Sequence, residues 1–427
     1  MTKIMIKDLL LLLFFCCSFG VTVYAQGKDP FQKYLNDSPP KIIKELGNET
    51  HDGVSVKKVV FHSRDVFIDE KTVPSTIFAV IARPDKPGKY PGLLVLHGGG
   101  GTAETEKAIA WAKLGYITLA LDEPGITNPE KVQHSDGHWK SFSYGKSRFT
   151  AKPDITTSTI YDGVVVGIQG FHLLATQPDV VKEKIGVVGI SWGGYLTTML
   201  TGLLGDKIRA SFSVFGSGFY DYGTSFKKEI EKMSPEEKKI WLQYLDAGRR
   251  ISSSRTPYFL AAATNDAFFF PPAVMETVKA KRGSANQLFA PNENHKISVP
   301  GGNDRKSTDT PGWLVMERTW FDYWLKGSGK PFPEIRNAVV NGKSPSGESK
   351  VQFSVKTSTP VTQALVWYSN SADEWTKRNW VSVRAELNLD GKYIATIPVS
   401  EGIKYDWFAS ISDDRPVTVS SLIQPIP

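Results

Sequence analysis

The chain has 427 residues, with 51 Lys and Arg against 44 Asp and Glu and a formal net charge of +7. Hydrophobic residues make up 41% and charged residues 22%, the balance of a folded globular protein, which excludes a disordered or fibrous chain. The small basic excess is scattered and lacks the concentrated stripe of a nucleic-acid surface, so no nucleic acid is expected as a partner.

At the amino end, Lys3 and Lys7 precede an apolar run at 9–17. That run is shorter than the roughly 20 residues a membrane-spanning helix needs, and it is followed by Val23-Tyr24-Ala25, a site a signal peptidase would read. Residues 1–25 are therefore expected to be a signal peptide cut before Gln26, leaving a periplasmic or secreted protein with no integral membrane segment. Lipid attachment at Cys16 or Cys17 is the weaker reading, because Phe15 and Cys16 precede them where a small residue is wanted. These are the only two cysteines, so the mature chain has no thiol nucleophile, thiolate metal site or disulfide.

Runs at 54–61, 74–82 and 91–96 read as strands, the last a continuous apolar stretch of the kind found in a strand covered on both faces. A helix at 104–113, a strand at 117–121, a long helix at about 155–174 and a strand at 184–189 follow. Then come a helix at 195–204, strands at 210–214, 258–263 and 287–290, and an aromatic helix at about 313–325. This alternation predicts an α/β fold, a mostly parallel, doubly wound sheet with helices on both faces. Residues 220–255 form a charged amphipathic insertion containing the helix start Ser234-Pro235-Glu236-Glu237, a candidate lid. After Gly327-Ser328-Gly329 the pattern changes to short alternating strands with a turn at Leu389-Asp390-Gly391. The expected organisation is an α/β domain over 26–331 and a small β-sandwich over 332–427.

Gly189-Ile190-Ser191-Trp192-Gly193 directly follows an apolar strand and opens a helix, the arrangement of a nucleophile elbow. An ordinary strand-to-helix turn is the bland alternative for the pentapeptide alone. His97-Gly98-Gly99-Gly100-Gly101 follows an earlier strand, where glycines let backbone N–H groups approach a substrate carbonyl oxygen, with the N–H of Trp192 as second donor. Gly99 and Trp192 are thus the candidate oxyanion donors. A phosphate-binding loop would want Lys and Ser or Thr next, and this one continues Thr102-Ala103-Glu104.

An elbow serine is followed in the chain by its acid and then its histidine. Six of the seven histidines precede Ser191, so His295, in the loop Pro291-Asn292-Glu293-Asn294-His295, is the candidate base. Between them lie Asp206, Asp221, Asp246 and Asp266. Asp266 is favoured because it follows the strand at 258–263 and so stands at the carboxyl edge of the sheet; Asp206 and Asp246 read as solvated helix-end charges, and Asp221 lies near the insertion.

On these motifs, with Leu121-Asp122-Glu123-Pro124-Gly125 and the double glycine Gly193-Gly194, residues 54–325 resemble the α/β-hydrolase superfamily. The likeness is greatest to its dienelactone hydrolase, acetyl xylan esterase and prolyl-oligopeptidase-related branch. The resemblance implies ester or peptide hydrolysis at Ser191, Asp266 and His295. Dienelactone hydrolases usually carry cysteine where this chain has Ser191, and prolyl-oligopeptidase relatives carry a propeller domain that does not fit the short segment before residue 54.

Trp139, Tyr144 and Phe268, with His134, His138 and Phe142 nearby, are aromatic candidates for lining a substrate mouth, where a cover over core is the equal alternative. Gly137 disfavours the helix that would turn His134 and His138 into a metal pair, so no metal and no cofactor are expected. The function expected is a serine carboxylic-ester hydrolase working through an acyl-enzyme on short acyl groups of carbohydrate or similar small esters. A serine peptidase is the rival of the same chemistry, and a non-catalytic glycan-binding scaffold the rival of another class.

Overall fold

A computed structural model describes residues 28–36, 38–302, 315–343, 347–415 and 417–427. The leader expected at 1–25 and the helix start expected at about 313 lie outside these residues. Nine strands form the main sheet: β1 (Ile42–His51), β2 (Val54–Ile68), β3 (Lys71–Pro84), β4 (Tyr90–Leu96), β5 (Ile117–Leu121), β6 (Val180–Ile190), β7 (Ala210–Val214), β8 (Tyr258–Ala263) and β9 (Ala285–Ala290). Their order is β1-β2-β3-β5-β4-β6-β7-β8-β9. The joins from β1 to β5 are antiparallel, and the six strands from β5 across to β9 run parallel.

Every residue of β5, β7 and β8 is buried, and so is all of β4 except Tyr90. Such strands are largely apolar because helices cover both faces of the sheet. The crossovers carry α1 (Thr105–Lys113), α2 (Thr159–Ala175) and α3 (Trp192–Leu204). The insertion carries α4 (Lys227–Glu231), α5 (Pro235–Tyr244) and α6 (Ala247–Ile251), and α7 (Pro271–Ala280) and α8 (Val315–Phe321) follow. From β4 the chain steps outward to β5, then returns to lay β6 on the other side of β4. That reversal opens a crevice at the carboxyl ends of β4 and β6, from which the His97 and Ser191 loops depart.

Two differences from the sequence reading concern the edges of this sheet. The β2–β3 hairpin extends well beyond the apolar runs and turns at Asp69 and Glu70, whose φ values of 47° and 60° suit a tight hairpin turn. β1 has no buried side chain and pairs with β2 through its backbone, so it carries no apolar pattern. The insertion packs as a cap: Ile230, Trp241, Leu245, Ala247 and Ile251 are buried, while Lys227, Lys228, Glu229 and Glu231 of α4 are exposed.

The carboxyl-terminal strands are β10 (Glu334–Lys343), β11 (Glu348–Lys356), β12 (Val361–Asn370), β13 (Val381–Arg384), β14 (Glu386–Leu387), β15 (Lys392–Pro398), β16 (Tyr405–Asp413), β17 (Thr418–Ser420) and β18 (Gln424–Ile426). They form two antiparallel sheets, β10-β11-β15-β14 and β13-β12-β16-β17, with β18 also on β16. Val351, Phe353 and Ile397 of one sheet share a buried core with Val366, Trp407 and Ile411 of the other.

This sandwich docks on the β9 edge of the main sheet, which would otherwise expose unpaired backbone. The Phe289 N–H donates to Ser420 Oγ at 3.1 Å, and Gln287 Nε2 donates to the Ser420 carbonyl at 2.6 Å. Trp380, Phe408 and Ile423 pack there with Tyr258, Leu260 and Phe289. Replacing Trp380 with alanine is therefore expected to cost about 3 kcal/mol of stability, the scale of a large aromatic truncated in a core. Chemical denaturation reads this directly, and a loss below about 1 kcal/mol, the scale of an ordinary surface substitution, would show the docking surface to be loosely packed.

Candidate active site

Ser191 lies between β6 and α3 with φ 56° and ψ −116°, a conformation that non-glycine residues avoid. The turn closes because its flanking residues lack side chains: a Cβ on Gly189 would collide with the Gly193 carbonyl, and one on Gly193 with the Leu96 and His97 carbonyls. The elbow is therefore pressed against the end of β4 and its glycine loop. As the first residue of α3, Trp192 has a backbone N–H with no intrahelical acceptor.

Asp266 is wholly buried just after β8. One carboxylate oxygen accepts the Phe268 and Phe269 N–H groups at 2.7 and 3.0 Å, and the other meets His295 Nδ1 at 2.8 Å. A carboxylate accepts, so Nδ1 carries the proton and Nε2 is left free to take another. His295 itself has φ 46°. Its ring stacks on Phe215 at 4.3 Å between centroids, and the Ser191 N–H donates to the neighbouring Val214 carbonyl at 2.8 Å. The dipeptide Val214-Phe215 thus holds both the serine backbone and the histidine ring. Among the described residues no hydrogen bond joins the Ser191 hydroxyl to His295, a contact that commonly tightens only when substrate is present.

Asp206 is exposed, and the other two aspartates are engaged elsewhere. Asp221 pairs with Arg249 at 3.0 Å. Asp246, expected to be a solvated helix-end charge, is instead fully buried; it caps α6 and accepts the Phe219 and Tyr220 N–H groups at 3.0 and 2.9 Å. Burial pushes its carboxyl upward despite Arg249 beside it.

The glycine loop is held by a hydrogen-bonded network below the crevice. The Gly100 N–H donates to the Ile126 carbonyl and the Gly101 N–H to the Gly98 carbonyl, at 2.8 and 3.0 Å, which leaves the Gly98 and Gly99 N–H groups without acceptors among the described residues. The His97 N–H donates to Glu123 at 2.8 Å, and the Glu123 N–H donates to Thr127 Oγ1 at 2.7 Å. His97 Nδ1 meets the Gly98 carbonyl at 2.8 Å, so it bears the proton, and Nε2 accepts from the Thr127 hydroxyl at 2.9 Å. This network needs a neutral imidazole. Burial supplies one, pushing His97 down to about 4, while burial also raises the Glu123 carboxyl well above its ordinary range.

The aromatic candidates divide. Phe268 is 45% exposed, with its ring 5.0 Å from that of His295. Tyr144 is 41% exposed, and its hydroxyl occupies the space a Cβ on Gly99 would take. Trp139 is buried with its indole beside Gly137, so it fills the interior and lines no mouth. The His134 ring lies 5.4 Å from Phe78 at a tilt of 48°, and the His138 ring meets Phe142 edge-on at 5.0 Å. The insertion contributes Tyr220 and Phe226, which pack on Trp192 at 5.9 and 5.0 Å and build an aromatic wall beside the elbow. Neither these two nor Phe215 was singled out from the sequence, because an aromatic beside a site looks like any core aromatic.

Among the described residues there is no cluster of three metal-ligating side chains and no helix long and apolar enough to cross a membrane. Hydrogen bonds from the sandwich also reach both loops of the site. Asn265, next to Asp266, donates to the Arg378 carbonyl at 2.7 Å. Asn292, in the His295 loop, donates to the Trp380 carbonyl at 2.8 Å and accepts its N–H at 2.7 Å.

His97 gives the site a signed pH dependence. Its folded value lies below the unfolded value of about 6.5, so the folded state binds fewer protons between those limits and stability falls as pH drops from 6.5 toward 4. At pH 5 the cost is about 2 kcal/mol. His97→Gln should remove that increment, so melting of wild type and variant should converge on acidification. Parallel melting curves from pH 7 to pH 5 would refute a buried neutral His97.

A family model described as BAAT / Acyl-CoA thioester hydrolase C terminal matches residues 169–259, a stretch that includes the elbow. No curated protein matches the chain in sequence. Among solved structures the chain is similar to acetyl xylan esterase 1 from a Thermoanaerobacterium species, at 16% identity and TM-score 0.48 over 63% of this chain and 89% of that one. An acetyl xylan esterase from a Paenibacillus species matches at 18% identity and TM-score 0.48 over 62% of this chain and 87% of its own. An S-formylglutathione hydrolase from Agrobacterium tumefaciens matches at 14% identity and TM-score 0.46 over 66% of this chain and 100% of its own. The sheet order with an elbow at its crevice is the α/β-hydrolase fold, and the family match spans that elbow.

Proposed function

We propose that the protein is an exported serine hydrolase that removes short acyl groups from polar esters, acetylated carbohydrates among them, through an acyl-enzyme. The observation that carries this reading is the Asp266–His295 pair at 2.8 Å, anchored through Phe215 to the strand end that holds the strained Ser191. Ser191 attacks the ester carbonyl while His295 Nε2 takes its proton and then returns it to the leaving alcohol. Buried Asp266 fixes the tautomer. The N–H groups of Trp192 and of Gly99 are the donors that would receive the oxyanion. The leader-like residues 1–25 support export.

A short acyl group is favoured because Trp192, Phe226 and Phe268 stand close around the elbow and His295, and the cap turns charge outward where a long acyl chain would need apolar surface. The match to an acyl-CoA thioester hydrolase model makes a short acyl thioester the second substrate to try.

Ser191→Ala and His295→Ala should each lower kcat by about a millionfold and Asp266→Asn by about ten-thousandfold, with Asp221→Asn little changed. Acetyl and butyryl aryl esters should exceed the dodecanoyl ester in kcat/KM by about tenfold, or about 1.4 kcal/mol. A substrate panel adding acetylated xylan, a thioester and a peptide amide decides the class. Faster amide than ester cleavage would move the assignment to a peptidase, and activity surviving in Ser191→Ala would end it.

A further inference from the structure

Arg148 is a buried charged side chain beside this site that has no counter-charge among the described residues. It is 5% exposed, and no carboxylate lies within ion-pair range of it among the described residues. Its Nε–H donates to the Gly125 carbonyl, while Nη2 is buried with no hydrogen-bond partner. Its guanidinium lies between two rings, 4.5 Å from the centroid of Tyr144 and 4.5 Å from that of Trp192. Those same rings meet at the glycine loop: a Cβ on Gly99 would collide with the Tyr144 hydroxyl and come within 2.8 Å of Trp192 Cδ1.

A guanidinium has five N–H donors in a planar fork that matches a carboxylate. Ring stacking offsets part of the cost of burying its charge but satisfies none of the unused donors. A structural arginine at such depth is normally met by an acid or by several carbonyls, and here a single carbonyl is found. The Tyr144 ring that lies against this guanidinium is itself 41% exposed, so the fork stands next to solvent-accessible surface.

From this we infer that Arg148 is a specificity-determining residue for an anionic substrate: the ester carries a carboxylate a short distance from its scissile carbonyl, and Arg148 receives it beneath Tyr144. This rests on the esterase reading above and narrows its substrate class. The carboxylate can sit on the acyl side, as in a dicarboxylic half-ester, or on the alcohol side, as in an acylated hydroxy acid or acidic sugar.

Two pairs of aryl esters distinguish the sources. Nitrophenyl glutarate is compared with its terminal carboxamide, subtracting spontaneous hydrolysis, and meta-carboxyphenyl butyrate with meta-carbamoylphenyl butyrate. In the wild type one charged member should be favoured by about tenfold in kcat/KM, the scale of one charge-assisted hydrogen bond. Arg148→Gln should bring that ratio near one, with Arg148→Lys intermediate because it keeps the charge and loses the fork. Equal ratios in wild type and Arg148→Gln for both pairs would overturn the inference.

A binding experiment needs neither turnover nor an Arg148 variant that folds. Titration of Ser191→Ala by calorimetry with glutarate and with meta-hydroxybenzoate, each against its neutral amide, should show tighter binding of one acid, and equal binding of acid and amide in both pairs would overturn the assignment. Absence of ester turnover in the wild type would count against the serine-esterase reading alone, and the titration would still decide the role of Arg148.

Discussion

The close approach of two backbones at the carboxyl ends of β4 and β6 is the constraint from which the site follows. Gly193 lies against the carbonyls of Leu96 and His97 with no room for a Cβ, and Gly189 lies equally close to Gly193. That contact brings the start of α3, with its unpaired N–H, beside the glycine loop, whose Gly98 and Gly99 N–H groups are also unpaired. It also forces Ser191 into a strained conformation at the head of the helix. Strand order alone would supply a crevice; the missing side chains turn it into a place where donors converge.

A strained turn persists only if its surroundings over-determine it, and two buried systems do so here. On the β4 side, neutral His97, Thr127 and Glu123 tie the glycine loop to the loop after β5. On the β7 and β8 side, Val214 holds the Ser191 N–H, Phe215 supports the His295 ring, and Asp266 is held by two backbone donors before it meets that ring. His97, Thr127, Glu123 and Asp266 are buried, while His295 keeps one side toward solvent. Removing the Thr127, Glu123 or Asp266 side chain leaves a buried polar partner unpaired, which costs more than the bond it made.

Much of this architecture was legible because burial on both faces writes itself as continuous apolar runs, as at 91–96, 117–121 and 258–263. The elbow was legible because only glycine tolerates its contacts, and His295 because no other histidine follows Ser191. What stayed hidden shares a physical character. β1 pairs through main chain with its side chains in solvent, and the docking of the sandwich uses Ser420, Asn265 and Asn292 against backbone groups, none of which leaves a periodic trace. Trp139 was misplaced because an aromatic in a loop has one composition whether it lines a cleft or fills a core. Arg148 carried no signal either, since the meaning of a lone arginine depends on whether an acid stands beside it in space.

The position of the sandwich bears on how separable the two parts of the chain are. Every candidate for the chemistry precedes residue 332, which from sequence alone makes the carboxyl-terminal strands dispensable to it. Yet Asn265 and Asn292, each a few residues from Asp266 or His295, spend their side-chain hydrogen bonds on the backbone at Arg378 and Trp380. Asp266 and His295 sit on loops, and loops are the parts of a fold with the least packing to fix them. A histidine that must meet a serine hydroxyl and an aspartate at once tolerates little positional error, since misplacement of about 1 Å can cost a hundredfold in rate. The main sheet fixes the serine through its elbow, but the acid and base loops borrow part of their rigidity from the neighbouring sandwich. Under the proposed mechanism its contribution would therefore be geometric, transmitted by the Asn265 and Asn292 side chains through their hydrogen bonds to the sandwich backbone.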